Sequence, residues 1–211
     1  MPQIIRPDAS TTRVPPSSHN FVPAVRGQAT MHGCMDEAAP IAADYTECLP
    51  GSIDDVLVVG LGDPTTTPTS DFNHIIRFCA SKDASGGASV GFICELRQAY
   101  VSESSLGTLV ASFAGDNIPS TVDTYFRYRL TEAEAALITD YTDLQLRFRS
   151  ANARGGAPRS CRLHWAECQL PTAGERATDL HLTAEELQRQ DKGQDVTQAS
   201  DRRTTGSTSR H

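Results

Sequence analysis

Between Val56 and Leu170 the chain repeatedly writes a short β-branched or alternating run and then breaks it with glycine, proline, asparagine or aspartate. This rhythm limits the fold more than any other feature. Runs of this length are short for helices and read as strands. Residues 56–61 (Val-Leu-Val-Val-Gly-Leu) read as a buried strand that stops at the turn Gly62-Asp63-Pro64. Residues 74–80 read as a second strand. Ser85-Gly86-Gly87 then reads as a hairpin-type connection to residues 90–97. In 90–97, Val90, Phe92, Cys94 and Leu96 share one side, with Glu95 and Arg97 on the other. Successive strand side chains point to opposite faces, so one face is expected buried and the other wet. Residues 106–113 and 121–129 read as further strands. In 144–149, Leu144, Leu146 and Phe148 point inward. Residues 152–158 form a Gly-rich turn. Cys161, Leu163 and Trp165 are expected on one face of a last strand ending near Leu170-Pro171.

One helix signal interrupts the strands. Thr131-Glu132-Ala133-Glu134 is a capping box, in which the hydroxyl takes a free N–H and Glu134 reaches back. The helix is expected to be short and to stop near Thr139-Asp140. Evenly spaced strands with one short helix predict a mainly β chain, an antiparallel β-sandwich of jelly-roll type.

Hydrophobic residues are 38% of the 211, enough for a core but not for a core built from the whole chain. The surplus falls at the ends. Residues 1–30 read as an extended N-terminal arm, broken by Pro2, Pro7, Pro15, Pro16 and Pro23, with Ile4-Ile5-Arg6 suited to a short edge strand. Residues 31–171 form the sandwich domain. Residues 172–211 read as a polar C-terminal tail, where a second capping box, Thr183-Ala184-Glu185-Glu186, opens a short helix through Gln190. On its own such a composition is expected to be disordered, so any burial there comes from a partner. The expected partner-binding residues are Ile4, Ile5 and Arg6 in the arm and Leu180, Leu182 and Leu187 in the tail.

The net charge is −7 and there is no polybasic run, which argues against direct nucleic-acid binding. No apolar run approaches the ~20 residues of a membrane span, and the opening residues carry no signal-peptide core. A cytoplasmic site of synthesis is therefore expected. Six cysteines (Cys34, Cys48, Cys79, Cys94, Cys161 and Cys168) include no CxxC pair and are expected to be reduced there.

Each candidate for chemistry has a plainer reading. His32, Cys34, Asp36, Glu37 and Cys48 include good ligand types, but the tight paired spacing of a structural zinc site is absent, and a loop with a buried thiol is preferred. Cys79 and Cys94 fall on neighbouring strands of the expected hairpin, where buried free thiols are preferred to a bridge. No G-x-S-x-G elbow accompanies the serines, and His74 and His164 sit within strands, so no catalytic residue, metal or cofactor is assigned. Asp54-Asp55 and Asp36-Glu37 read as solvated loop acids. Glycan binding through exposed aromatics would draw on Tyr100, Tyr125 and Tyr141, since Trp165 is placed with the core. Arg127, Arg129, Arg147, Arg149, Arg159 and Arg162 fall in or near late strands, where they suit either an acidic partner surface or a solvated sheet face.

The order of segments carries a resemblance. It runs from Ile4-Ile5-Arg6-Pro7-Asp8-Ala9 through Met35-Asp36-Glu37-Ala38-Ala39-Pro40, Ala43-Asp44-Tyr45, Val59-Gly60-Leu61-Gly62-Asp63-Pro64 and His74-Ile75-Ile76-Arg77-Phe78. It continues with Leu96-Arg97-Gln98, Leu130-Thr131-Glu132-Ala133-Glu134, Ile138-Thr139-Asp140-Tyr141-Thr142-Asp143-Leu144 and His164-Trp165-Ala166-Glu167. Over residues 1–171 this series resembles a family of small β-sandwich proteins encoded among the structural genes of tailed bacteriophages and prophages. The segment 138–144 with the preceding helix is its most specific part. The resemblance implies a non-enzymatic virion protein, expected to be a capsid decoration or cement protein. Its implied partners are the major capsid protein, other virion proteins and further copies of itself. A glycan-binding head-fibre, spike or tail-appendage module, or a head–tail connector, is the alternative. The polar extension after Pro171 and the six cysteines depart from the family pattern.

Overall fold

The structure, a computed structural model, describes residues 2–8, 21–24, 32–41, 43–48, 50, 55–118, 124–152 and 156–172. Its strands are β1 (Gln3–Ile5), β2 (Val22–Ala24), β3 (Tyr45–Glu47), β4 (Val56–Gly60), β5 (Ile75–Lys82), β6 (Val90–Gln98), β7 (Thr108–Ile118), β8 (Thr124–Arg129), β9 (Leu144–Asn152) and β10 (Cys161–Leu170). Among the described residues the one α-helix, α1, is Glu132–Ala135. The tail residues Leu180, Leu182 and Leu187, with the capping box at Thr183, lie outside the described residues.

Two antiparallel sheets form. The first has the order β2-β3-β10-β5-β8, with β1 also on β10; the second has the order β4-β9-β6-β7. The pairs β3·β10, β4·β9, β5·β8 and β6·β7 are nested inside one another, and β10·β5 and β9·β6 knit them into sheets. This nesting is the jelly-roll connectivity, and it makes the chain mainly β in the expected way.

The core is built by alternation. Ile76, Phe78 and Ala80 of β5, Leu163, Ala166 and Cys168 of β10, Phe92, Cys94 and Leu96 of β6 and Leu146 and Phe148 of β9 pack together between the sheets. Burying a large apolar side chain contributes roughly 1.5–3 kcal/mol, so these alternating positions hold the layers together. All six cysteines are buried as thiols. The capping box forms as written: Glu134 N–H donates to the Thr131 hydroxyl at 3.2 Å, and Thr131 N–H donates to the Glu134 carboxylate at 2.7 Å. The helix is shorter than expected, with its C-cap at Ala136.

Three expectations need correction. The 85–87 turn does not join a hairpin, because β5 lies in the first sheet and β6 in the second. Cys79 and Cys94 are thus not neighbours on paired strands. The outer side of β6 is not wet. The segment after β6 folds back over Glu95 and Arg97, and Tyr100 packs with Val56 and Val58 in a second small apolar cluster. Finally, β10 carries a bulge between Leu163 and Trp165. One extra residue changes the face on which later side chains emerge. Cys161 and Leu163 point into the core, as do Ala166, Cys168 and Leu170, whereas Trp165 does not.

Candidate functional site

The bulge gives the first sheet an outer face of mixed aromatic and charged character. Strand register sets out its rows. Tyr125 on β8 stands opposite Cys79 on β5, which stands opposite Trp165 on β10. The next row is Arg127, Arg77 and Glu167, and the third is Arg129, Ile75 and Gln169. The intervening residues of β8 turn inward, where Phe126 stacks on Phe78 with ring centroids 4.6 Å apart and Tyr128 on Phe113 at 4.6 Å. That inward packing is what directs Tyr125, Arg127 and Arg129 out.

Several groups on this face are held in place. Arg77 donates to Glu167 at 2.9 Å and to the Gln169 side chain at 2.6 Å. Arg6 donates to the other oxygen of Glu167 at 3.2 Å. Arg129 donates to the Asn73 side-chain Oδ1 at 2.6 Å. Arg162 donates to Glu47 at 2.9 Å and lies 4.4 Å over the Tyr45 ring. In the outer rows of β3, β5, β8 and β10, with Arg6 following β1, the arginines Arg6, Arg77, Arg127, Arg129 and Arg162 stand against Glu47 and Glu167. On these strands alone arginine thus outnumbers carboxylate, while the loop bonded to the Trp165 indole adds Asp36 and Glu37 beside them. Beyond Arg129 the face runs into a hollow of about 440 Å³ bordered by Asp71, Phe72, Leu130 and Glu132.

The structure sorts the candidate aromatics. Tyr125 is 66% exposed. Tyr100 and Tyr141 are buried, and so are unsuited to stack on an outside ligand. Trp165 lies on the same outer row as Tyr125 but is 7% exposed, its indole N–H donating to the Glu37 carbonyl at 2.9 Å.

The arginine strip divides. Arg127, Arg129 and Arg162 belong to this face. Arg147 and Arg149 lie on β9 in the other sheet, and Arg159 donates to the carbonyls of Ser85 and Gly86 at the 85–87 turn. Arg6 and Arg77 were missing from the sequence-derived strip. The clue for Arg77 was its outward position in the alternation of 74–80; for Arg6 it was the edge-strand reading of 4–6. That edge strand forms on the protein's own β10, burying Ile5 in the core and tying Arg6 to Glu167, while Ile4 is 37% exposed.

The candidates for chemistry disperse. Cys34 is buried in the 3-10 turn His32–Cys34, while Cys48 sits beside Cys161, whose N–H donates to its sulfur at 3.2 Å. Among the described residues no three His, Cys, Asp or Glu side chains gather as metal ligands. Burial pushes the Cys34 thiol up to about 12, with the hydrogen bond to Asp44 adding to it. His74 bonds the Tyr141 hydroxyl at 2.8 Å and His164 the Ser81 hydroxyl at 2.7 Å, all four residues being buried. Burial lowers the His74 pKa, so this ring is held neutral in the core. Asp55 is not a solvated loop acid but is buried, its backbone bonded to Ser150 on β9.

No family model and no curated protein sequence matches the chain. Among solved structures, the K3 cleaved adhesin domain of Lys-gingipain from Porphyromonas gingivalis w83 is similar at 9% identity and a TM-score of 0.43, covering 82% of this chain and 99% of that one. A structure described as CBM4 is similar at 12% identity and a TM-score of 0.39, covering 72% of this chain and 95% of that one. The xylan-binding module CBM15 is similar at 7% identity and 0.39, covering 74% and 100%.

Proposed function

We propose that the protein is a non-catalytic binding module that holds an extended, negatively charged glycan along β8 and across β5 and β10. The outward row Tyr125, Arg127 and Arg129, on strands that carry more arginine than carboxylate, carries this reading. An open tyrosine ring offers an apolar surface to the C–H side of a sugar and a hydroxyl to its polar groups. Guanidinium forks match carboxylate and sulfate geometry. Side chains two apart on a strand recur at about 6.8 Å, a spacing that suits a polymer better than one small molecule. Arg77, already fixed by Glu167 and Gln169, has little freedom left to lose, which lowers the cost of binding.

Calorimetry with a polyuronate, a sulfated glycosaminoglycan and neutral xylan tests this. The acidic polymers should bind in a salt-sensitive way, and Tyr125→Ala should weaken them about tenfold or more without lowering stability. Equal binding of neutral xylan, or full affinity in Tyr125→Ala, overturns the reading.

The same excess of arginine on these strands favours a second reading, docking on an acidic protein surface. In the virion setting implied by the resemblance, the face would seat a decoration or cement protein on capsid subunits, or an appendage on the tail. Density for the chain repeated over the capsid lattice in purified particles would support it, and absence from the particle would end it.

A further inference from the structure

The end of β3 and the start of β10 meet at a pair of cysteines. The register Thr46↔Leu163 and Glu47↔Arg162 runs on by one step to set Cys48 directly opposite Cys161. Cys48 N–H donates to the Cys161 carbonyl at 3.1 Å, and Cys161 N–H returns a bond of 3.2 Å to the Cys48 sulfur. Directly opposed residues of an antiparallel pair share a face. Where hydrogen-bonded they stand about 5.5 Å apart at Cα, within the usual span of a disulfide. Both side chains join the core. No other cysteine among the described residues has a cysteine opposite it. Cys79 stands between Trp165 and Tyr125, Cys94 between Phe113 and Phe148, and Cys168 between Ile5 and Ile76, while Cys34 lies in a 3-10 turn.

We propose that Cys48 and Cys161 close into a cross-strand disulfide when the chain folds in the presence of a small-molecule disulfide, giving the sandwich a covalent staple between β3 and β10. With glutathione disulfide as the oxidant, the Cys48 thiolate attacks one of its sulfurs, forming a mixed disulfide and releasing one glutathione. The Cys161 thiolate then attacks the Cys48 sulfur. The protein S–S bond forms, the bond to glutathione breaks, and a second glutathione leaves. The two protein thiols give up two protons and two electrons, and the oxidant takes up both in becoming two thiols.

Burial sets the order of events. Thiolate is the attacking species, and burial pushes the Cys48 thiol up to about 11 and the Cys161 thiol well above its ordinary value. The folded, reduced protein therefore resists oxidation, and the link forms while the strands are still docking. What the staple holds is specific. Strand β3 has only three residues, yet it carries Tyr45 and Glu47, which fix Arg162 on the outer face. The cysteines are 113 positions apart, so a bond between them removes much of the freedom of the unfolded chain. The expectation of six reduced cysteines then holds for a reducing setting only. The inference is independent of whether the outer face binds a glycan.

The test starts from full-length protein, unfolded and reduced. It is returned to native conditions in a mixture of reduced and oxidised glutathione, then alkylated under denaturing conditions. Two of the six thiols should escape alkylation, and peptide mapping without reduction should join the peptides that hold Cys48 and Cys161. Cys79→Ala should give the same link, and Cys48→Ala should leave every remaining thiol open to alkylation. The mapping is made on the wild type, so it does not depend on whether a variant folds. The linked protein should unfold at a higher urea concentration than the reduced one. Folded, reduced protein placed in the same mixture should form the link at least about tenfold more slowly than refolding chains. Six alkylated thiols after refolding, a link between another pair such as Cys94 and Cys168, or a linked protein no more stable than the reduced one overturns the proposal.

Discussion

Phe78 shows how much one core residue carries. Its ring stacks on Phe126 at 4.6 Å and meets Phe148 edge-on at 5.4 Å and Phe92 at 6.3 Å, so it joins β8, β9 and β6 through a single side chain. Phe78→Ala should cost about 3–5 kcal/mol, read as a lowered urea midpoint, because the rings around it cannot all collapse into the gap. Two glycines make a sharper comparison. Gly86 and Gly107 both have φ near +65°, but an added Cβ at Gly86 meets nothing within 4 Å, whereas at Gly107 it would lie 2.2 Å from the Gln98 carbonyl oxygen. Gly86→Ala should therefore cost only the left-handed backbone penalty, about 1–2 kcal/mol. Gly107→Ala should cost clearly more, since the chain must move away from β6. Equal midpoints for the two variants would show that backbone preference alone, and not the close approach, sets the cost.

The segment from Ala99 to Gly107 acts as a strap over the second sheet. Glu103 binds Arg147 through both its oxygens, at 2.9 and 2.6 Å, and accepts from the Tyr100 hydroxyl at 2.8 Å. Glu95 in turn accepts from Arg97 at 2.6 Å and Arg147 at 3.1 Å. The hydrogen bond from Arg147 is the main reason the Glu103 carboxyl sits below its ordinary pKa, with Tyr100 assisting. A depressed carboxyl pKa gives stability that is present above the ordinary value and lost as pH falls through the lower folded value. Glu103→Gln should cost roughly 1–3 kcal/mol at neutral pH, because it strips a charged partner from a buried guanidinium. The cost should shrink toward acid, and urea titrations between about pH 3 and 7 would show the curves of variant and wild type converging. Parallel curves would count against it. The strap also explains where alternation misled. Glu95 and Arg97 have the pattern of a solvated face, and nothing local in the sequence says that Tyr100 will return to cover them. The bulge in β10 is equally silent: Cys161, Leu163 and Trp165 alternate perfectly, and only the pairing with β5 shows that the register slips before Trp165. By contrast the capping box at Thr131 is a local signal, and the helix begins where it was written.

At the scale of the molecule, the strands were legible but their partners were not. A jelly roll pairs strands far apart in sequence, so that Glu47 finds Arg162 and Val56 finds Arg149, while neighbours such as β5 and β6 part into different sheets. Turn residues mark where a strand stops, and carry no information about which sheet comes next. The same nesting sets the dynamics. Folding must close long loops before most pairs form, which places this chain among slow, non-local folders. Once folded, the long strands β5, β6, β9 and β10 are paired on both sides, as is the three-residue β3, whereas β1, β2, β4, β7 and β8 are edges. Amide exchange should be slowest in those four long interior strands, opening only with global unfolding, and faster along β8. The edge position of β8 bears directly on function, because Tyr125, Arg127 and Arg129 are displayed on a strand tied down on one side by β5 alone. A ligand lying on that row adds the missing restraint. Saturation with an acidic glycan should therefore slow exchange in β8 selectively and leave β4 and β7, the edges of the opposite sheet, unchanged. Protection spread evenly over both sheets would instead mean that the ligand acts by general stabilisation, and would remove β8 as the place where it sits.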